Sequence, residues 1–305
     1  MIDRRDFLKL AASLSAAFGI GSFPEPVAAA LKQIDPKAVP KLIYLQGLSC
    51  SGCSISLLQA SSPSPLSLIT DYSQLCFHAD LSAISGKGAV KLIEQYISGQ
   101  AGEYFLAAEG AIPEKIPDAC LIGDKPFAQY LEEAAKTMSG AVAVGACACD
   151  GGIPSAEGNL TGAVGLQEFY AKRNINKPVI NIRGCSVHPD WVWYTVIHLV
   201  KAGMPELING SPKLFYSRKV HEQCPRYHDF QQEIFAKNLG DKGCLFKLGC
   251  LGPDTYADCP VRWWNNGQTW CIDSNAPCIG CASPDFARRK DFPFYRLTER
   301  QNKTA

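Results

Sequence analysis

Between Lys41 and about Gly210 the chain alternates short apolar runs with longer stretches in which apolar residues return every three to four positions. A short, continuous apolar run bounded by polar residues or glycine is the pattern of a strand buried on both faces. A three-to-four period is that of an amphipathic helix. The pattern predicts strands over Lys41 to Gln46, Glu103 to Ala108, Ala141 to Gly145 and Pro178 to Arg183. It predicts helices over Gly88 to Ile97, Phe127 to Met138, Val164 to Arg173 and Trp191 to Lys201. Strands that alternate with helices build a parallel sheet flanked by helices, so the expected class is α/β.

From Ser211 the pattern changes: periodicity is weak, Gly and Pro are frequent, and seven of the fourteen cysteines lie between Cys224 and Cys281. Such a segment has little core of its own and must be held by cross-links or metal. The expected division is a leader over 1–30, an α/β domain over 31–210 and an irregular, metal-stabilised domain over 211–305. There is no internal repeat and no low-complexity tract.

Met1 to Ala30 reads as a twin-arginine export signal: Arg4-Arg5 in a polar start, an apolar stretch from Leu10 to Phe23, and small residues at Val27-Ala28-Ala29-Ala30 for cleavage. The apolar stretch is shorter than the roughly 20 residues that span a bilayer, and no later run is long enough. A soluble periplasmic chain starting near Leu31 is expected. That route carries folded proteins with cofactors already inserted, which favours metal over a disulfide framework for the cysteines. A formal charge of +1, 19% charged residues and no basic run leave no footprint for nucleic acid.

Cys50 and Cys53 follow the first predicted strand, Cys147 the third and Cys185 the fourth. The C-terminal ends of parallel strands share one edge, where such sheets bind ligands, so these four thiols should converge. Four thiolates suit a cubane iron-sulfur cluster, and the nearby glycines let backbone amides approach it; zinc accepts four cysteines as well. A second set, His221, Cys224, Cys244 and Cys250, fits zinc or a cluster equally. A third, Cys259, Cys271, Cys278 and Cys281, again fits a tetrahedral metal or a cubane. Cys76 and Cys120 read as small apolar packing residues, and Cys149, two residues from Cys147, stays unassigned.

Read in order, GLSCSGCSISLL (47–58), AEGAIP (108–113), GACACDGGIP (145–154), NIRGCSVHPDW (181–191), His221 to Cys224, GCLGP (249–253), Asp258-Cys259-Pro260 and WWNNGQTWCIDSNAPCIGCASPDF (263–286) make the chain resemble the small subunit of nickel-iron hydrogenases over nearly its whole length. The resemblance implies a flavodoxin-like first domain with a proximal [4Fe-4S] cluster on Cys50, Cys53, Cys147 and Cys185. It also implies a distal [4Fe-4S] cluster on His221, Cys224, Cys244 and Cys250, with a medial cluster between the two. Many members hold a three-iron medial cluster on three cysteines and carry proline where this chain has Cys271. The fourth thiolate here predicts a medial [4Fe-4S] cluster on Cys259, Cys271, Cys278 and Cys281, as in the nickel-iron-selenium branch.

The implied activity is reversible H2 oxidation, with hydrogen activated in a nickel-binding large subunit and electrons relayed by this one to a carrier such as a c-type cytochrome near His221. No residue of this chain is expected to be catalytic. Two departures from family patterns stand out. Gly52 and Gly152 occupy positions of extra cysteines in oxygen-tolerant relatives, and Ile55 replaces a glutamate common after the first cysteine pair. An apolar surface around the proximal site should meet the large subunit, with His188, Trp191 and Trp193 either contributing to it or packing internally. The competing readings are a stand-alone exported iron-sulfur carrier, a zinc-stabilised binding protein and, within the family, a hydrogen sensor.

Overall fold

The computed structural model describes residues 39–60 and 63–289, so the expected leader lies outside them. Five strands form one parallel sheet: β1 (Lys41–Gln46), β2 (Gln74–His78), β3 (Phe105–Glu109), β4 (Gly140–Val144) and β5 (Val179–Ile182). Their order is β2-β1-β3-β4-β5. This is the flavodoxin-like winding: the chain leaves β1 toward one edge for β2 and crosses back for the rest. The helices are α1 (Gly52–Leu57), α2 (Gly86–Ile97), α3 (Phe127–Thr137), α4 (Gly145–Asp150), α5 (Leu166–Lys172) and α6 (Pro189–Ala202).

Alternate residues of each strand feed opposite cores, as the two-residue period of a strand requires. Leu42, Tyr44, Ala107, Val142, Val144, Ile180 and Ile182 pack on one face with Trp191 and Val192 of α6. Ile43, Leu45, Leu106, Ala108, Ala141 and Ala143 pack on the other with Ile93 of α2, Phe127 and Leu131 of α3 and Phe169 of α5. Burial on both faces is why the strands read as unbroken apolar runs.

Three features depart from the expected pattern. Gly145, expected to end a strand, has φ +86 and begins α4 instead. Val164, expected to begin a helix, pairs with Ile112 in a two-residue antiparallel ladder. Strand β2 has no counterpart among the expected strands; it is an edge strand whose first residues are exposed or half-buried, so its side chains show no clean apolar alternation.

After Ser211 the chain runs in turns and short helical pieces, among them α7 (Cys259–Arg262). Phe215, Tyr216, Leu245, Ala257, Trp270 and Ile272 of this segment join Trp191 in the sheet's own core, so the two parts share one apolar cluster. Polar locks cross the same boundary. Arg183 pairs with Asp150 at 2.7 Å and donates to Ser211 Oγ, and Trp191 Nε1 donates to Asp258 at 2.7 Å. No helix among the described residues is long and apolar enough to cross a membrane.

Candidate metal centres

The first set of cysteines lies at the C-terminal edge of the sheet. After β1, Leu48 bridges Ala111 of the β3 loop, Ser51 takes a left-handed turn, and α1 carries Cys53 inward while Cys50 stays exposed. Cys147 sits in α4, directly after β4, and Cys185 follows β5 by three residues. The thiols are near enough to act on one another. Burial first, then Cys185 and Cys50, push Cys147 up to about 12; burial, Glu109, Cys147 and Cys185 raise Cys53. Backbone amides face the sulfurs, with the Val187 N–H donating to Cys53 Sγ at 3.5 Å. Glycine is required at two places here. A Cβ on Gly145 would run into Cys53 Sγ and one on Gly152 would lie 2.7 Å from Cys147 Sγ, and both residues have positive φ.

Sequence reasoning assigns no role to one residue of this site. Glu109 ends β3, is 2% exposed and turns its carboxylate under the Cys50–Cys53 loop. It accepts from Tyr44 Oη at 2.7 Å, Ser54 Oγ at 2.5 Å, Ser49 Oγ at 3.1 Å and the Cys53 N–H at 3.3 Å. A carboxylate therefore does reach the first cysteine pair, from β3 rather than from position 55, where Ile55 is exposed. The signal available in the sequence was a lone acidic residue closing an otherwise apolar run at the ligand-binding edge.

In the C-terminal segment His221, Cys224, Cys244 and Cys250 all line one small cavity, together with Arg226, Leu245, Gly252 and Ile272. His221 sits edge-on to Phe230 and Tyr227, and burial lowers its pKa, which favours the neutral imidazole that binds metals. Arg226 lowers the pKa of both Cys224 and Cys244 against the larger effect of burial, and it donates to Gly243 O and Asn275 Oδ1.

The third set lies between the other two. Burial, then Cys281, Asp258, Cys278 and Cys271, raise Cys259 well above its usual range, so these four thiols are neighbours. Cys278 is buried and Cys271 is exposed. The Cys185 amide favours the Cys281 thiolate, and the Cys278 amide favours that of Cys250. The Cys278-to-Cys281 turn thus touches the first set on one side and the second on the other.

The remaining cysteines turn elsewhere. Cys149 is fully buried, points away into the opposite core and donates to Ala143 O at 3.3 Å. Cys76 and Cys120 pack at the edge of that same core. Of the two readings of His188, Trp191 and Trp193, the internal one is correct, because all three are buried. His188 caps α6 by accepting the Asp190 N–H, and its Nε2 lies 2.6 Å from Trp263 O; burial lowers its pKa to about 4. Exposed apolar residues close in sequence to the first set include Ile55, Leu58 and Ile153.

The described geometry matches known proteins closely. Residues 216–295 match the model of the C-terminal part of the NiFe/NiFeSe hydrogenase small subunit, and residues 50–199 match that of the 20 Kd subunit of NADH ubiquinone oxidoreductase. The chain is 37% identical to the periplasmic [NiFeSe] hydrogenase small subunit of Desulfomicrobium baculatum, over 96% of this chain and 98% of that one. It is 33% identical to the periplasmic [NiFe] hydrogenase small subunit of Solidesulfovibrio fructosivorans, over 93% and 90% respectively. A solved structure of a reduced, active NiFeSe hydrogenase from Desulfomicrobium baculatum superposes with a TM-score of 0.80 at 38% identity, covering 84% of this chain and 98% of that one. By sequence over nearly its full length and by fold, the chain belongs to the family of nickel-iron and nickel-iron-selenium hydrogenase small subunits.

Proposed function

We propose that this protein is the electron-transferring subunit of a periplasmic hydrogenase, exported by the twin-arginine route and paired with a nickel-binding large subunit. The observation that carries the reading is the cavity lined by His221, Cys224, Cys244 and Cys250, four donors brought together from two short helical turns some twenty residues apart. We assign this set to a distal [4Fe-4S] cluster, Cys50, Cys53, Cys147 and Cys185 to a proximal one, and Cys259, Cys271, Cys278 and Cys281 to a medial one. The proximal set belongs to a sheet domain over 31–210 and the other two to a domain over 211–305.

The residues fit such groups. Each set offers four soft or imidazole donors, the ligand types that iron-sulfur clusters take. Trp270 Nε1, beside Cys271, is buried with no acceptor, an orphan that a cluster sulfide would satisfy. When bound, iron-sulfur clusters supply one-electron storage and transfer between the hydrogen-activating partner and an external carrier. The protein positions the first set at strand ends, turns backbone amides toward sulfur and keeps Cys53 and Cys278 buried.

Ile55, Leu58 and Ile153 beside the exposed Cys50 give the large subunit an apolar landing surface, and a c-type cytochrome would dock near His221. Co-purification tests the first contact. Native protein should bring down a nickel-bearing subunit and reduce dye with H2, and Ile55→Asp should break the complex; a chain that stays monomeric and well behaved alone contradicts the assignment. His221→Ala should slow H2-dependent cytochrome reduction by about tenfold or more. An unchanged rate would remove His221 from the exit route.

A further inference from the structure

Buried carboxylates are rare unless a cation pairs with them. Glu109 is an exception. Its oxygens accept from five groups, namely Tyr44 Oη, Gln46 Nε2, Ser49 Oγ, Ser54 Oγ and the Cys53 amide, and none of these carries a charge. The donors come from β1, from the loop that carries Cys50 and from α1. That loop is pinned from behind as well, because the Gly47 N–H donates to Glu109 O at 2.7 Å. The position leaves no slack, since a Cβ on the next residue, Gly110, would lie 2.8 Å from the Gly47 carbonyl carbon.

The outer end of the network is also fixed. His78 Nδ1 accepts the Asp80 N–H, which leaves Nε2 to donate to Ser54 Oγ at 3.3 Å, and Ser54 in turn donates to Glu109. Burial lowers the His78 pKa, and the ring stacks on Tyr44 with centroids 4.1 Å apart. The donors from β1, the loop and α1 thus converge on the Glu109 carboxylate, with His78 acting through Ser54.

From this geometry we infer that Glu109 is a positioning residue for the proximal cluster: its carboxylate sets the path of the Cys50–Cys53 loop and places its charge against Cys53, which keeps the cluster's reduction potential low. The inference rests on the proximal assignment above. The carboxylate acts at short range because Glu109 and Cys53 are both buried and in direct contact, where charges are poorly screened. Adding an electron to a cluster adds negative charge, so an adjacent carboxylate opposes reduction.

Glu109→Gln separates charge from shape. The amide oxygen can keep the Cys53 and Ser49 bonds at one side, and its NH2 can donate to the Tyr44 hydroxyl once this rotates. Potentiometric EPR on the purified heterodimer should then show the proximal potential shifted positive, with medial and distal potentials and iron content unchanged. Tyr44→Phe keeps the charge and removes one donor that shields it, so its proximal potential should shift negative. An unmoved proximal potential in Glu109→Gln, or an equal shift at all three clusters, overturns the inference. If Glu109→Gln loses the proximal cluster, Tyr44→Phe decides: an unmoved or positive shift overturns it. Wild-type protein lacking a proximal signal would instead defeat the assignment on which the inference stands.

Discussion

Cys271 is the residue on which the nature of the medial site turns. Cys271 is exposed, Cys259 and Cys281 are half-buried and Cys278 is buried, so the fourth donor closes the site from its outer side. Removing it should leave a three-thiol set, which suits a three-iron cluster. Cys271→Ala is therefore expected to lose one iron per chain and to show a new [3Fe-4S] signal in EPR of the oxidised protein. Cys149→Ala is the control. Its thiol faces Ala143 O in the other core, so iron content should not change. Equal iron loss in both variants would mean that the signal reports general instability.

At the level of elements, the structure depends on how the C-terminal segment locks onto α6. Arg262 of α7 is 5% exposed on its side chain and pairs with both Asp258 at 2.6 Å and Asp190 of α6 at 3.1 Å; Asp258 also accepts from Trp191. Breaking a buried pair by removing one partner costs about 3–5 kcal/mol, because the other charge is left stranded. Arg262→Gln should lower thermal stability by that order. It should also loosen the medial site first, since Cys259 directly follows Asp258. Loss of the proximal signal before the medial one on heating would contradict this.

The sheet's central elements were legible because both faces of its strands are buried, and α3 matched its expected limits to within a residue. Strand β2 was not, because an edge strand needs no apolar alternation on its open side. The cysteines were legible because a thiol announces its chemistry wherever it falls. Glu109 was not. Its role lies in donors spread from Tyr44 to Ser54 that meet it only once β1 and β3 pair. His188 illustrates the reverse: its closeness to Cys185 in sequence suggested an interface, yet its ring turns inward to Trp263.

Considered whole, the molecule is one apolar cluster running from the sheet into the C-terminal segment, with three donor sets arranged along it. The amide of Cys185 at Cys281 and that of Cys278 at Cys250 bring the third set against both of the others. Shared packing keeps their spacing fixed, which a relay of electrons requires. The most direct test of that arrangement is the metal content of the purified complex, read with EPR of the oxidised protein. Three cubanes predict about twelve irons and as many acid-labile sulfides per small subunit, with nickel in the partner and no stoichiometric [3Fe-4S] signal. A colourless protein containing zinc and no iron would contradict the account outright, and a stoichiometric [3Fe-4S] signal would contradict its medial cubane.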